Sequence, residues 1–487
     1  MGSSHKLSDA IRRLVQGVMS SRLGLVGSGI ATISAALIVA SFLMESLGVQ
    51  FGPYQGIITY LMLPTFFLIG LIMIPIGSYL FNRDGKSGAI EIKPFVIDLN
   101  NPKHRRFWGL VAALTLVNIV LLSTFSYKGY HYTESTKFCG MLCHSVMEPE
   151  YKAYKHSPHS RVDCVECHIG PGASWFVKSK LSGLRQVYGV IADDFSRPIP
   201  SPIENLRPAR DTCEQCHWPS FFHGNRLKVF QKAATDDKPD DALVTALLLY
   251  VGGRSEKTGE YHGIHWHVSR DSIVEYRATD KKRYNIRDIR VTHSDGSREE
   301  YVKSDLPELP QDAEWRSMDC IDCHNRPSHI YETPEQAVDR LILTGKVDTA
   351  LPDIRSASLE AIKGEFESQE TARVGIYKYL KSYYGEKHQS VAETKAESIQ
   401  KLAETLYEEG YARNVYPRLN IKWNTYASHL GHQNDLGCFR CHDEEHESKS
   451  GKTIEQDCES CHSILVEDER RSALKEDMRT LLFTDYE

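Results

Sequence analysis

The chain has 487 residues, 41% of them hydrophobic and 25% charged, with a net charge of −6. That length is enough for several domains, and so mild an acidic balance excludes a nucleic-acid binder built on a basic surface. A mean hydropathy of −0.38 averages two unlike parts, a largely apolar first 127 residues and a polar remainder.

Residues 1–22 carry Lys6, Arg12, Arg13 and Arg22. Residues 23–47 are almost wholly apolar, broken by Glu45 near their end, and long enough to span a bilayer. No small-residue cleavage site follows a short apolar core, so the segment reads as a retained anchor. Residues 56–81 form a second span, in which Pro64 and Pro75 are tolerated where neighbouring helices cover the freed carbonyls. Residues 107–125 form a third, with Asn118 its one strongly polar residue. The loop at 48–55 has no Lys or Arg, whereas the next loop holds Arg83, Lys86, Lys93, Lys103, Arg105 and Arg106. The positive-inside rule places the N-terminus and this second loop in the cytoplasm of a bacterial inner membrane, and everything after Tyr127 in the periplasm.

A neck at residues 127–137 then leads to Cys139, Cys143 and His144. Eleven residues reach about 40 Å when stretched, so length does not pin this first cysteine pair to the membrane. The same idea recurs as Cys164-Cys167-His168, Cys213-Cys216-His217, Cys320-Cys323-His324, Cys438-Cys441-His442 and Cys458-Cys461-His462. Two cysteines followed at once by a histidine is the c-type haem attachment pattern: each thiol adds to a haem vinyl group and the His is placed to ligate the iron. Zinc or disulfide pairs do not need a His after every second Cys. Six such motifs use all twelve cysteines, so six covalently bound haem c groups are expected. The first motif has three residues between its cysteines instead of two. Haem c is attached on the outer side of bacterial membranes, which agrees with the charge-based topology. The three spans contain no histidine, which excludes a haem b held by two histidines within the membrane.

After the second motif, Val177, Leu181, Leu184, Tyr188 and Ile191 fall at helical spacing on one stripe. Trp175 and Phe176 open it, and Lys178, Lys180 and Arg185 flank it. The pattern fits an interfacial helix with its apolar face in lipid; the alternative is a core helix packed on haem faces.

Thr133 to His144, reading TESTKFCGMLCH, and His168 to Gly189, reading HIGPGASWFVKSKLSGLRQVYG, resemble the NapC/NirT family of membrane-anchored quinol dehydrogenases. The resemblance covers residues 115–197. It implies a transmembrane helix leading into a Phe-Cys haem motif, and a helix after the second motif that carries a quinol-interacting lysine and ends in Tyr-Gly. Counted from His168, that lysine falls on Lys180 and the pair on Tyr188 and Gly189. Small family members have an acidic residue six positions after the lysine, where this chain has Gln186. Their first motif has two intervening residues, often with a Met two places past the His, whereas here Met147 stands three past His144. The resemblance thus implies a quinol site of Lys180, Gln186 and Tyr188, with the membrane quinol pool and periplasmic c-type cytochromes as partners. Because the small members dimerise, it also allows for a homo-oligomer. Three spans and a long multihaem tail look most like inner-membrane cytochromes of metal-reducing bacteria, which implies anaerobic or extracellular respiration.

Residues 242–302 read as a small β insertion, with strands at 247–251, 273–276 and 286–302 and a hairpin turn at Asp295-Gly296. Thr333-Pro334-Glu335-Gln336 is a capping box with Pro at the first helical position. A charged helix opens at residues 390–393 and ends near Gly410. This stretch of the chain has no haem motif and reads as a packing or docking scaffold. The expected fold is a mostly α membrane anchor of three transmembrane helices plus a haem-cored, loop-rich multihaem cytochrome c domain with helices and the β insertion. Its expected parts are the anchor (1–127), a family-like region with three motifs (128–224), the β-rich insertion (225–310), the fourth motif and helical scaffold (311–415), and a two-haem module (416–487).

Beyond the motif histidines His144, His168, His217, His324, His442 and His462, the polar part has thirteen more. Two histidines on each iron would give electron-transfer haems without a substrate site. The distal candidates are His159, His329, His446, His223, one of His262, His265 and His267, and one of His429 and His432, with Met147 a candidate at the first motif. His131, His293 and His388 read as surface residues, and haem iron is the only metal expected. The function this favours is oxidation of menaquinol at the outer membrane face, with electrons passed to periplasmic cytochromes. The alternatives are a terminal reductase with an open haem, which would favour a Cys-x-x-Cys-Lys motif absent here, and a haem relay docking on a separate quinol oxidase.

Mass spectrometry of the denatured protein should show the polypeptide plus six haem masses; five would mean that Cys139 and Cys143 carry none.

Overall fold

The computed structural model describes residues 21–46, 58–83, 100–141, 144–170, 173–203, 207–218, 224–235, 238–254, 261–269, 272–433 and 435–483. Two compact units divide between His144 and Ser145. In the N-terminal unit, α1 (Arg22–Ser46), α2 (Leu63–Arg83, entered by a π turn at Ile58–Met62) and α3 (Pro102–Glu134) run through residues 23–46, 58–81 and 107–125 of the expected spans. Arg22–Ser41 is long and apolar enough to cross a bilayer, and Leu63–Gly77 is a shorter apolar helix. The charged loop at 84–99, apart from Arg83 and the residues from Asn100 on, lies outside the described residues.

Burial in α1 runs inside out. Ala31, Ser34, Ile38 and Ser41 are buried at alternating three- and four-residue steps, while Leu25, Val26, Ile33 and Leu37 are exposed. The contact with α2 is made by glycines. A Cβ on Gly27 would stand 2.7 Å from Met73 Cβ, one on Gly70 2.7 Å from Ala31 N, and one on Gly77 2.6 Å from Gly24 N. Such backbone-close packing of small residues, with large apolar side chains turned outward, suits helices whose solvent is lipid.

The C-terminal unit opens with helices, the long one among them α4 (Ala173–Ile191). Strands follow in two sheets and a small ribbon: β1 (Arg226–Lys232), β2 (Leu243–Leu249), β3 (Gly253–Arg254), β4 (Tyr261–His262), β5 (Ser272–Ala278), β6 (Ile286–His293), β7 (Arg298–Lys303), β8 (Arg316–Ser317), β9 (His446–Ser448) and β10 (His462–Arg470). One sheet has the order β1-β2-β10 and the other β8-β5-β6-β7-β9. The expected hairpin joins β6 to β7, with Gly296 at φ +83° and Ser297 N donating to Asp295 Oδ1 at 2.8 Å. The C-terminal stretch contributes to both sheets, since β10 pairs with β2 and β9 with β7.

The helical scaffold is α5 (Pro334–Leu343), α6 (Ile354–Ile362), α7 (Gln369–Lys387) and α8 (Ala396–Thr405). The Thr333 capping box forms as expected, Gln336 N donating to Thr333 Oγ1 at 3.2 Å and Thr333 N to Gln336 Oε1 at 3.0 Å. On α7 the fully buried Ala372, Ile376, Leu380 and Tyr384 recur every four residues and close the core against Leu341, Leu402 and Leu406. The expected charged helix is broken at Lys395 and passes into a π turn at Leu406–Tyr411.

A buried carboxylate ties sheet to motif. Asp322, between the cysteines of the fourth motif, accepts from Tyr276 Oη (2.7 Å), Arg283 Nη1 (3.0 Å), Arg316 Nε (3.0 Å) and its own cap residue Asp319 N (2.7 Å). Removing it leaves a hydroxyl and two guanidiniums without their partner. Asp322→Ala should therefore cost about 3 kcal/mol, the low end for a broken buried ion pair because both arginines reach water. A lowered denaturant midpoint of the C-terminal unit's unfolding checks this.

Candidate functional site

Each described motif is built on a helical turn. Cys164–His168 and Cys320–Cys323 are short α-helices, and the fifth and sixth motifs sit on 3-10 turns at Gly437–Arg440 and Cys458–Ser460. Residues three apart share one side of such a turn, so both thiols face the same way. The amides of His217, His324 and His442 donate to the carbonyls of Cys213 (2.8 Å), Cys320 (2.8 Å) and Cys438 (3.1 Å). None of the eleven described cysteines forms a disulfide.

Every motif histidine from the second to the sixth motif stands opposite another histidine. Ring centres are 6.2 Å apart for His168 and His329, 6.0 Å for His217 and His159, and 6.5 Å for His324 and His265. They are 5.8 Å apart for His442 and His267, and 6.1 Å for His462 and His432. Two imidazoles on opposite sides of one metal, each nitrogen about 2 Å from it, have ring centres about 6 Å apart. The residues fit a haem iron between each pair.

Hydrogen bonds at the far side of the rings agree. His159 Nδ1 bonds Pro327 O (3.1 Å), His265 Nδ1 bonds Val251 O (3.2 Å), His267 Nδ1 bonds Ile264 O (2.7 Å) and His329 Nδ1 bonds Glu150 O (3.0 Å). A carbonyl fixes the proton on Nδ1 and leaves Nε2 as the basic nitrogen, the arrangement of metal-ligating histidines. Burial also pushes His265, His267 and His329 below the ordinary histidine range, which favours the neutral ring that metals bind.

The other candidates are placed differently. His446 is fully buried with Nδ1 on Asp443 Oδ1 (2.8 Å) and Nε2 on Ile286 O (3.0 Å), so a loop carboxylate and a strand carbonyl take both nitrogens. His429 is held by Asp435 (3.1 Å) against the Tyr284 ring. His262 lies exposed on β4. His388 bonds Asp353 and His131 packs on Tyr127 and Tyr130. His293 lies beside Trp266. Met147 is half-buried on the helix His144–Lys155. Cys143, His223 and the side chain of His144 lie outside the described residues. Among the described residues no cluster of three or more His, Cys, Asp or Glu converges on a separate metal site.

The described side chains of the expected stripe on α4 are uncovered: Leu181 is 63% exposed, Leu184 67%, Tyr188 69% and Ile191 80%. Lys180 is half-buried, its ammonium 4.9 Å from the Phe176 ring centre, and Lys178 lies 4.7 Å from Trp175. Gln186 is exposed and donates to Ser182 Oγ (3.3 Å).

Residues 101–199, which include the first two motifs and all of α4, match the N-terminal region of the NapC/NirT cytochrome c family. Over 458 residues the chain is 41% identical to the cytochrome c-type protein ImcH of Geobacter sulfurreducens, covering 93% of this chain and 89% of that protein. The chain belongs to the NapC/NirT cytochrome c family. It is a membrane multihaem cytochrome of electron transfer, and its cofactor is covalently bound haem c. No solved structure matches it. The expected likeness to the family is met in residues 115–197, which lie inside the matched region.

Sequence reasoning keeps only one of His262, His265 and His267, and leaves His429 and His432 equal. Two signals separate them: alternate histidines in one short turn point to different sides, and Asp435 within reach of His429 supplies it with a local partner.

His432→Ala should turn one haem from low spin to high spin, while His446→Ala should leave every haem band in place and lower stability. Visible absorption and electron paramagnetic resonance of the purified variants check both.

Proposed function

We propose that this chain oxidises menaquinol at the outer face of a bacterial inner membrane and passes the electrons to periplasmic c-type cytochromes. The anchor on this reading has three spans, with the N-terminus in the cytoplasm and the motifs in the periplasm. Six haem c groups, when bound, supply the one-electron chemistry between the two partners. His168, His217, His324, His442 and His462 are the proximal ligands and His329, His159, His265, His267 and His432 their distal partners.

The observation that carries the reading is the position of Lys180, on the flank of an apolar helical face that the protein leaves uncovered. The stripe of Leu181, Leu184, Tyr188 and Ile191 meets lipid, where the quinol tail lies. From its edge the Lys180 ammonium donates a hydrogen bond to a quinol oxygen. Its positive charge favours the quinolate as the proton leaves. Oxidation of one quinol releases two protons and two electrons; the protons leave to the periplasmic side, and Gln186, exposed six residues on, offers a neutral polar group there. Paired histidines at five motifs also favour electron transfer over a terminal reductase, which needs an iron with an open position.

Lys180→Gln should slow haem reduction by a menaquinol analogue about tenfold or more, the loss of a charge-assisted hydrogen bond being ~1.5–3 kcal/mol, and leave reduction by dithionite unchanged. Lys178, over Trp175 on the opposite flank, should tolerate Gln. Stopped-flow absorption of the lipid-reconstituted variants makes the comparison, and equal small effects would make Lys180 a membrane anchor.

A further inference from the structure

The 3-10 turn Ile264–Val268 carries two of the five distal histidines. We infer that this turn is a shared clamp for two neighbouring haem sites, His265 completing the site of the fourth motif and His267 that of the fifth. The inference rests on the haem-ligand reading above and deepens it, since it makes two sites one mechanical unit.

A 3-10 turn has three residues per revolution, so side chains two apart point to different sides. The His265 ring lies nearly parallel to that of His324, at 6° and 6.5 Å. The His267 ring stands nearly perpendicular to that of His442, at 79° and 5.8 Å. Trp266, between them, turns into the sheet core of Val274, Tyr276, Ile286 and Ile289. One short segment thus faces two motifs that lie more than a hundred residues apart in sequence.

The turn is held from all sides. Ile264 N donates to Tyr250 O (2.9 Å), His265 N to Val251 O (3.2 Å) and Trp266 N to Gly263 O (3.0 Å). Ser272 Oγ donates to Trp266 O (3.0 Å). Arg210, three residues before the third motif, donates from Nη2 to Val268 O at 2.6 Å. Gly263 sits at φ +75°, and a Cβ there would stand 2.4 Å from Tyr250 O, so only glycine allows the chain to enter the turn this way.

The motifs are also bolted to one another. Arg440, inside the fifth motif and buried, donates from Nη2 to the carbonyl of Asp322, inside the fourth, at 2.6 Å. Its Nη1 reaches Arg283 O at 3.0 Å, and Arg283 in turn pairs with the Asp322 carboxylate at 3.0 Å. The proximal sides of the two sites are therefore joined through Arg440 and their distal sides through residues 265–267. Two irons held this way keep one separation and one relative orientation.

The test uses the full-length protein with its haems. His265→Ala and His267→Ala, singly and together, are examined for haem number by mass spectrometry and for spin state by electron paramagnetic resonance. The clamp requires full haem number in all three, one haem converted to high spin in each single variant, and two in the double. The haem lost from the low-spin spectrum should be of the parallel-ligand, rhombic type in His265→Ala and of the perpendicular-ligand, strongly axial type in His267→Ala. Methionine at either position keeps a sixth ligand, and with it the fold, and should give one His–Met near-infrared band in each single variant. If both single changes strike the same haem, the turn serves one site and the clamp is overturned while paired-histidine ligation stands. If neither changes any haem, with full haem number retained, the ligand reading itself fails at these two motifs.

Discussion

The organising constraint of the C-terminal unit is that each motif histidine meets a second imidazole delivered from elsewhere in the chain. The partners do not come from neighbouring turns: His168 faces His329, beyond the whole β insertion, and His442 faces His267, from the middle of it. The largest apolar core, in the helical scaffold, includes no motif residue, and a smaller one on the β5-β6 sheet touches the fifth motif and its facing turn through Cys441 and Trp266. Region by region, therefore, the loops around the motifs are positioned by directional contacts rather than by oil-like packing. Arg326 illustrates the pattern: it grips the Glu150 carboxylate with Nη2 at 3.0 Å while Glu150 O holds His329 Nδ1. A charge-assisted bond of this kind fixes orientation as well as distance, which a ligand to a metal needs and a core leucine does not.

Local chemistry was legible in the sequence; long-range pairing was not. The Thr333 cap, the Asp295-Gly296 turn and the helix that carries the α4 stripe are each written within a few residues, and the structure places them as the patterns imply. The choice among histidines is different, because it depends on which ring nitrogen is already occupied. By sequence His446 is as good a ligand as His432; in the fold, Asp443 and the Ile286 carbonyl take both its nitrogens. Strands β1 and β10 escape sequence reading because neither has a strong apolar alternation. β1 is mostly exposed along its length and β10 is acidic, and both take their place from the apolar β2 between them.

The anchor and α4 apply one rule in two settings. In α1 Ala31, Ser34 and Ser41 are covered while Leu25, Val26, Ile33 and Leu37 are not, the reverse of the scaffold helix α7, whose Ile376, Leu380 and Tyr384 are sealed inside. On α4 the exposed apolar stripe is interleaved with lysine and arginine, as suits a surface where hydrocarbon gives way to headgroups. α1 is the most apolar of the three helices and α7 the least, and the direction of burial adds what composition leaves out, namely which side of each helix is covered.

The position of β10 sets an order on biogenesis. The strand begins at His462, the last residue of the last motif, and fills one edge of the apolar β2. A chain emerging from its N-terminus therefore presents β2 with that edge open until residues 462–470 have been made. Open edges of apolar strands recruit other chains, so the nascent protein passes through a vulnerable interval. Its length is the time needed to synthesise everything between residues 249 and 462. Closure of the sheet and the last cysteine pair fall in the same segment, so a chain cut short before Cys458 lacks that pair and a sealed sheet together.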